Sequence, residues 1–414
     1  MECADESWMI YVEAVVDERL ELERLNRALT ATLQAQPILT ARPRLTSRMA
    51  RHHEWCVGSV RPVIEEVACT TDDALCEARA EMISAAGTAP GSLVRIGLLR
   101  CPDGDRLGVA LHHALGDANS AVAILLSLLI GYSDLHPSTC AHLGSGPASR
   151  DLLDLLDHRD AAAHLRAFVA LARRATTWWR TPSQMRLVPP TSPLSDEALY
   201  PFAISFDQLA RWRDGSGRTI NDVLVGSLGV ALKLWNDDRE DRYMTIMVPV
   251  SLRPANGCAE LLSNMSSHAL VTLSGDEVKY TAQAIDATRR QMVRLKRDRQ
   301  ALPLVSLLTI MRRLPVGIRG PLIRGSPWTK RGGTDSAVLS NLGDVLARWN
   351  GPSIPAPRGI LFAPPLRATR GLAVGTTYMR DQVLITIRYR RCSLSADAVS
   401  EFAELYRAIL MDST

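Results

Sequence analysis

Two adjacent histidines, His112 and His113, stand close to an aspartate in the run His112-His113-Ala114-Leu115-Gly116-Asp117. An imidazole with an ordinary pKa of about 6.5 is largely neutral near pH 7, so one ring nitrogen can accept a proton. A carboxylate at a helix start can order a loop through backbone amides, or hold an arginine from elsewhere. We therefore interpret His113 as a general base and Asp117 as the residue that organises its loop.

The same histidines could instead be packed in the interior or bind a metal ion. Adjacent strand residues point to opposite faces of a strand, so His112 and His113 cannot easily share one ion. No Cys or Glu stands nearby at the spacing of a metal-ligand set. A metal site is therefore not expected.

The flanking sequence predicts the elements that hold these histidines. Apolar residues alternate over 94–98 and 107–111 around the turn 102–105, which predicts a hairpin whose second strand runs into His112. Residues 121–130 are apolar all round and predict a buried helix. The histidines then lie between a strand end and a helix start, where site residues are common.

The chain length of 414 residues predicts two domains. The proline-rich stretch near the middle is typical of a linker, which gives a first lobe over 1–180 carrying the histidines, a linker over 181–200 and a second lobe over 201–414. Periodicity predicts further strands at 8–16, 243–250, 269–273 and 383–387, and helices over 22–33, 151–179, 219–235 and from 395 onward.

Composition sets the class of protein. Hydrophobic residues make up 46% and charged residues 22%, and the formal charge is only +4, which does not favour nucleic-acid binding. The eight cysteines are scattered without a CxxC pair, as in a reduced cytoplasmic protein. The run 121–130 is much shorter than the ~18 residues of a membrane span. We expect a cytoplasmic monomer with at most peripheral membrane contact.

With its two histidines and aspartate at this spacing, the chain resembles the CoA-dependent acyltransferase superfamily that carries the HHxxxDG motif. This superfamily includes nonribosomal-peptide condensation domains, polyketide-associated acyltransferases and bacterial wax ester synthase/diacylglycerol acyltransferases. Ala118 stands where the motif ends in glycine, which affects loop geometry if that position needs a positive φ. Four later blocks, at 219–224, 248–254, 263–264 and 339–343, resemble successive family blocks in the same order.

The resemblance implies a mixed α/β fold of two chloramphenicol acetyltransferase-like lobes, forming a V-shaped pseudo-dimer with a tunnel at the interface. It implies that His113 is catalytic at the centre of that tunnel, that His112 supports it and that Asp117 is structural. Asn221 and Asp222, at a helix start, are interpreted as capping and loop-ordering support near the site.

Arg253, beside two prolines, is either the partner of Asp117 across the lobes or an ordinary solvated arginine. Ser340 and Asn341 either donate hydrogen bonds to the developing oxyanion or the acceptor, or close a turn ahead of Gly343. The sequence does not assign residues that bind a cofactor.

The implied function is transfer of an acyl group from acyl-CoA, or from a phosphopantetheinyl acyl-carrier protein, to a hydroxyl or amine in specialised metabolism. The base would act directly, without an acyl-enzyme, and no cofactor would be permanently bound. One alternative is a wax ester synthase/diacylglycerol acyltransferase. The other is a condensation-fold protein without acyl transfer, acting as a binding module or catalysing other chemistry in the tunnel.

Overall fold

The computed structural model of the chain describes residues 8–44, 47–84, 92–133, 169, 183–190, 197–213, 217–236, 243–253, 262–297, 311, 313–319, 335–347, 357–366 and 371–412. The histidine run lies inside this part of the chain. The predicted helix over 151–179 lies outside it except for Val169, and parts of the predicted linker over 181–200 lie outside it too.

The described N-terminal half of the chain alternates strands and helices, as its periodicity predicted. Its elements are β1 (Met9–Val16), α1 (Leu22–Ala35), β2 (Arg42–Arg44), β3 (Glu54–Cys56), β4 (Ile64–Ala68), α2 (Asp72–Ser84), β5 (Val94–Cys101), β6 (Gly104–His112) and α3 (Ala118–Tyr132). A short 3-10 turn at Pro37–Thr40 follows α1. Proline lacks the amide that would extend the helix, so α1 ends just before it.

The described C-terminal half continues with mixed elements. They are β7 (Glu197–Ser205), α4 (Phe206–Ala210), α5 (Ile220–Asn236), β8 (Met244–Ser251), β9 (Ser266–Leu273), α6 (Thr281–Arg297), β10 (Ala337–Asp344), β11 (Gly359–Ala363), β12 (Leu372–Met379), β13 (Gln382–Arg390) and α7 (Ala396–Met411). The predicted mixed α/β fold class is confirmed.

The first sheet has the strand order β11-β1-β6-β5-β4. β1 lies antiparallel to β6, with Met9 opposite His112. One face of this sheet packs on α1 and α3 in a common apolar core. Every residue of β1 is buried, and α3 is buried on almost every side, which fits their mainly apolar sequences.

The second sheet has the strand order β7-β13-β12-β10-β8-β9 and a separate core, formed with α5, α6 and α7. Each sheet therefore has its own apolar interior. This arrangement is consistent with the two predicted lobes, while the V shape, the tunnel and the lobe boundaries stay predictions.

One strand connects the two halves of the chain. β11 comes from the C-terminal half but pairs with β1 at the edge of the first sheet. It also packs on the second sheet, where a Cβ on Gly375 of β12 would lie 2.0 Å from the carbonyl oxygen of Phe362. Only glycine allows backbones to approach so closely. The two sheets therefore meet at β11.

Candidate active site

The histidine pair occupies a tight turn between β6 and α3. His112 is the last residue of β6, and the amide of Leu115 donates to the carbonyl oxygen of His112 at 2.9 Å. Asp117 is the N-cap of α3, and its Oδ1 accepts a hydrogen bond from the amide of Ser120 at 3.1 Å. The strand end fixes one side of the turn and the capped helix fixes the other, so the imidazole between them has little freedom.

His113 lies between residues of both sheets. Its amide donates to the carbonyl oxygen of Trp8, just ahead of β1, at 2.9 Å, and the two side-chain rings are 6.3 Å apart. Its own carbonyl oxygen accepts from the side chain of Asn264, just ahead of β9, at 3.3 Å. The residue is half-buried, not sealed in the core. Part of the residue is therefore open to solvent.

The surroundings of His113 keep its ring neutral. Burial lowers the pKa of this imidazole below its ordinary value, and backbone carbonyls of residues 113 and 116 and the charge of Asp117 offset only part of that effect. Nδ1 is shielded from solvent and makes no hydrogen bond of normal geometry with any described residue. A buried, unbonded Nδ1 is poorly placed to meet a substrate, so Nε2 is the candidate proton acceptor.

The side chain of His112 stabilises the turn. It is buried, with 6% of its surface exposed, and its Nδ1 accepts a hydrogen bond from the amide of Ala114 at 3.1 Å. That bond ties the imidazole to the turn backbone. His112 therefore shapes the loop that presents His113.

Asp117 joins the turn to the second sheet, which is one of the two alternatives considered for Arg253. Its Oδ1 lies 2.7 Å from Nη2 of Arg253, and the two side chains are only 4% and 6% exposed. Its Oδ2 accepts the amide of Met265 at 3.1 Å. The arginine also donates to Ser120 and to the carbonyl oxygen of Ser263, at 3.1 and 3.0 Å. The reading of Arg253 as a solvated arginine was wrong.

Ser120, Asn264 and Met265 had no assigned role in the sequence analysis. Ser120 stands three residues after the N-cap, a position whose amide normally meets the capping side chain, so helix-cap rules could have indicated it. Asn264 and Met265 carry no such local signal. Their contacts form because the segment before β9 lies against the turn between β6 and α3.

Ala118 replaces the final glycine of the motif without strain. It is the first residue of α3, and the positive-φ residues among those described do not include it. The position needs an ordinary helical backbone, which alanine adopts readily. Alanine at this position therefore leaves the loop geometry undisturbed.

Asn221 and Asp222 form the predicted helix start. The carboxylate of Asp222 accepts the amide of Thr219 at 2.8 Å, and the Thr219 hydroxyl accepts the amide of Asp222 at 3.2 Å. This reciprocal pair is a capping box at the start of α5. The capping role is confirmed for Asp222, whereas capping by Asn221 and support of the site by either residue stay predictions.

Asn341 lies inside β10, where the pairing with β12 becomes irregular between Asn341 and Asp344. Its Oδ1 accepts the amide of Gly343 at 2.8 Å, and its Nδ2 donates to the hydroxyl of Tyr378 at 2.5 Å. Gly343 has a φ of +70°, which suits glycine. Asn341 thus stabilises an irregularity within the strand, where a turn had been predicted. Ser340 is buried within β10, and donation from either residue to an oxyanion stays a prediction.

Three other properties of the described residues concern a cavity, metal ions and membrane-spanning helices. A cavity of about 600 Å³ opens among Leu20, Arg100 and Cys101, away from the histidine turn. No group of three or more His, Cys, Asp or Glu side chains within the described ranges could hold a metal ion. Within the same ranges, no helix has the length and apolarity needed to cross a bilayer.

Comparison with solved structures identifies the fold. The first condensation domain of the calcium-dependent antibiotic synthetase, solved with a substrate analogue, superposes with a TM-score of 0.70 at 14% identity, over 98% of this chain and 92% of that one. The starter condensation domain of rhizomide synthetase RzmA, in complex with C8-CoA, gives 0.64 at 13% identity over 99% and 91%. This chain therefore has the fold of the condensation domains.

The same fold also carries other chemistry. The epimerization domain of tyrocidine synthetase B gives a TM-score of 0.61 at 16% identity, over 98% of this chain and 91% of that one. In sequence, the chain is similar to the uncharacterized protein Rv2305 of Mycobacterium tuberculosis H37Rv, at 27% identity over 97% of this chain and 94% of the relative. No family model matches the sequence.

Proposed function

We propose that this protein is an acyltransferase that moves an acyl group from a CoA or carrier-protein thioester to a hydroxyl or amine. The observation that supports this most directly is the half-buried imidazole of His113, whose lowered pKa favours the neutral form and whose Nδ1 is shielded from solvent. Its place in a condensation fold adds the expectation of a thioester donor.

The reaction needs one base and two oriented reactants. Nε2 of His113 takes the proton of the acceptor O–H or N–H as that oxygen or nitrogen attacks the thioester carbonyl. The C–S bond breaks, and the proton passes to the leaving thiolate or to solvent, so no acyl-enzyme forms. The base contributes about 10²–10⁴-fold, and orientation of the two reactants contributes the larger share.

A thiol-release assay tests this function. The protein is incubated with acyl-CoA and acyl-carrier donors of several chain lengths and with alcohol and amine acceptors, and free thiol and product are measured. His113→Ala should lower turnover by at least about 10²-fold while the far-UV spectrum and the unfolding midpoint stay unchanged. His52→Ala, which removes an exposed histidine, is the matched control and should keep wild-type turnover.

The donor and acceptor panel separates the competing functions. Turnover confined to long-chain acyl-CoA with fatty alcohol or diacylglycerol would indicate a wax ester or triacylglycerol synthase. A folded wild-type protein that is inactive with every donor and acceptor would contradict acyl transfer. That result would favour other chemistry on the condensation fold, of which the epimerization domain is an example.

A further inference from the structure

A buried arginine of the second sheet reaches the strand that carries the histidine turn. Arg388, on β13, is 0% exposed. Its Nε and Nη2 both lie 2.6 Å from Oε2 of Glu197 on the neighbouring strand β7. Arg388 pairs with Leu199 in the strand register, so Glu197 lies two residues along β7 on the same face. The ion pair is thus built into the second sheet.

The other side of the guanidinium contacts the first sheet. Nη1 donates to the carbonyl oxygen of Met9 at 2.5 Å and to that of Pro364 at 3.3 Å. Met9 is the first residue of β1. One buried cation therefore joins β13 and β7 of one sheet to β1 of the other.

The sequence explains why the carbonyl of Met9 needs this donor. β11 pairs with β1 only as far as Tyr11 opposite Ala363, and two prolines follow. Continuing the register would bring Pro365 opposite Met9, and proline has no amide to donate. A buried carbonyl without a partner costs about 1–3 kcal/mol, so Arg388 supplies the bond that β11 cannot.

Met9 directly follows Trp8, which is hydrogen-bonded to the candidate base. It lies opposite His112 in the strand register, and the preceding carbonyl, of Trp8, accepts the amide of His113 at 2.9 Å. We infer that Arg388 is a positioning residue, which sets the place of His113 relative to the second sheet through Met9 and Trp8. This inference rests on the proposed function, because it concerns the orientation of the same base.

A chemically similar ion pair elsewhere provides the control. Arg79 of α2 is 7% exposed, and its Nε lies 2.7 Å from Oε2 of Glu13 on β1. This pair is also a buried arginine–carboxylate pair on β1. α2 packs on β7 as well, but both hydrogen bonds of Arg79 go to Glu13. Its loss should therefore reduce stability and leave the bond from Arg388 to Met9 in place.

The test compares Arg388→Lys and Glu197→Gln with Arg79→Lys. Lysine keeps the charge but cannot make the forked contacts to Glu197 and Met9 together. We expect kcat to fall about 10- to 100-fold in Arg388→Lys with KM within about threefold, because misplacing a base by about 1 Å costs this much. Arg79→Lys should keep kcat within about threefold. Glu197→Gln removes the charge that holds Arg388 and should lower kcat in the same direction, so it still decides if Arg388→Lys does not fold.

A second readout does not depend on turnover. The NMR signal of the His113 ring, assigned by its loss in His113→Ala, should shift in Arg388→Lys and stay in place in Arg79→Lys. The positioning role of Arg388 requires both the loss of kcat and the shift of the ring signal. It would be overturned by wild-type kcat in Arg388→Lys, by an unmoved ring signal in that variant, or by an equal loss of kcat in Arg79→Lys. An inactive wild-type protein would refute the proposed function, and the ring signal would still test Arg388.

Discussion

The ion pair between Asp117 and Arg253 can be tested with a double-mutant cycle, because its two side chains are 4% and 6% exposed. Asp117→Asn keeps an oxygen that can accept the Ser120 amide, so the helix cap survives while the charge is lost. It leaves a buried guanidinium without its counter-ion and turns an amide donor toward the amide of Met265. We expect the free energy of unfolding to fall by about 3 kcal/mol.

Arg253→Met should cost less. The carboxylate of Asp117 would keep its hydrogen bonds from Ser120 and from the amide of Met265, so the expected loss is about 2 kcal/mol. The double variant leaves neither charge unpaired and should lose about 3 kcal/mol in total. The coupling energy between the two side chains is then about 2 kcal/mol.

Urea unfolding of the four proteins, followed by far-UV circular dichroism at one pH and ionic strength, measures the coupling. The control cycle uses Arg218 and Asp286, an ion pair within the second lobe whose side chains are 16% and 42% exposed. That pair should couple by less than about 1 kcal/mol. A coupling between Asp117 and Arg253 below about 0.5 kcal/mol would refute the view that this contact holds the turn to the second lobe.

The remaining predictions concern the histidine turn. His112→Ala should cost about 1–3 kcal/mol of stability, measured by urea unfolding, because the Ala114 amide loses its acceptor, and it should lower kcat less than His113→Ala does. A plot of kcat/KM against pH should fall on the acid side with an apparent pKa below about 6.5, because burial disfavours the protonated His113 ring; a value above about 7 would contradict this. Arg253→Met should raise that apparent pKa, since the charge of Asp117 then acts on His113 without its counter-ion. Ala118→Gly should destabilise the protein by no more than about 1 kcal/mol in thermal unfolding and leave kcat unchanged, because the first position of α3 needs no positive φ.

Local structure was predictable wherever one segment carries its own signal. The hairpin leading into His112 follows from alternating apolar residues and a turn whose Gly104 has a φ of +122°. A Cβ at that glycine would lie 2.2 Å from the carbonyl oxygen of Val16, so glycine suits the position on both grounds. The caps at Thr219 and Ser395 likewise follow from short-range rules about helix starts.

Contacts between distant segments could not be predicted in this way. Nothing in the periodicity of β11 indicates that it joins the first sheet, because a buried strand has the same apolar pattern in either sheet. The bond from Arg388 to Met9 joins residues 379 positions apart. From the sequence, Arg253 could be either the partner of Asp117 or a solvated arginine, because no local pattern links residues 136 positions apart. Its hydrogen bond to Ser263 depends on chain geometry outside the reach of any sequence window.

The contacts that join the two sheets also affect the protonation of His113. Asp117 caps α3 beside His113, and its negative charge alone would favour a protonated imidazole. Arg253, which follows β8 of the second sheet, neutralises that charge, and burial between Trp8 and the turn disfavours protonation further. A separation of the sheets would therefore both move the ring and admit water, which raises its pKa toward the ordinary value. The contacts that hold the sheets together are thus also the contacts that favour a neutral His113.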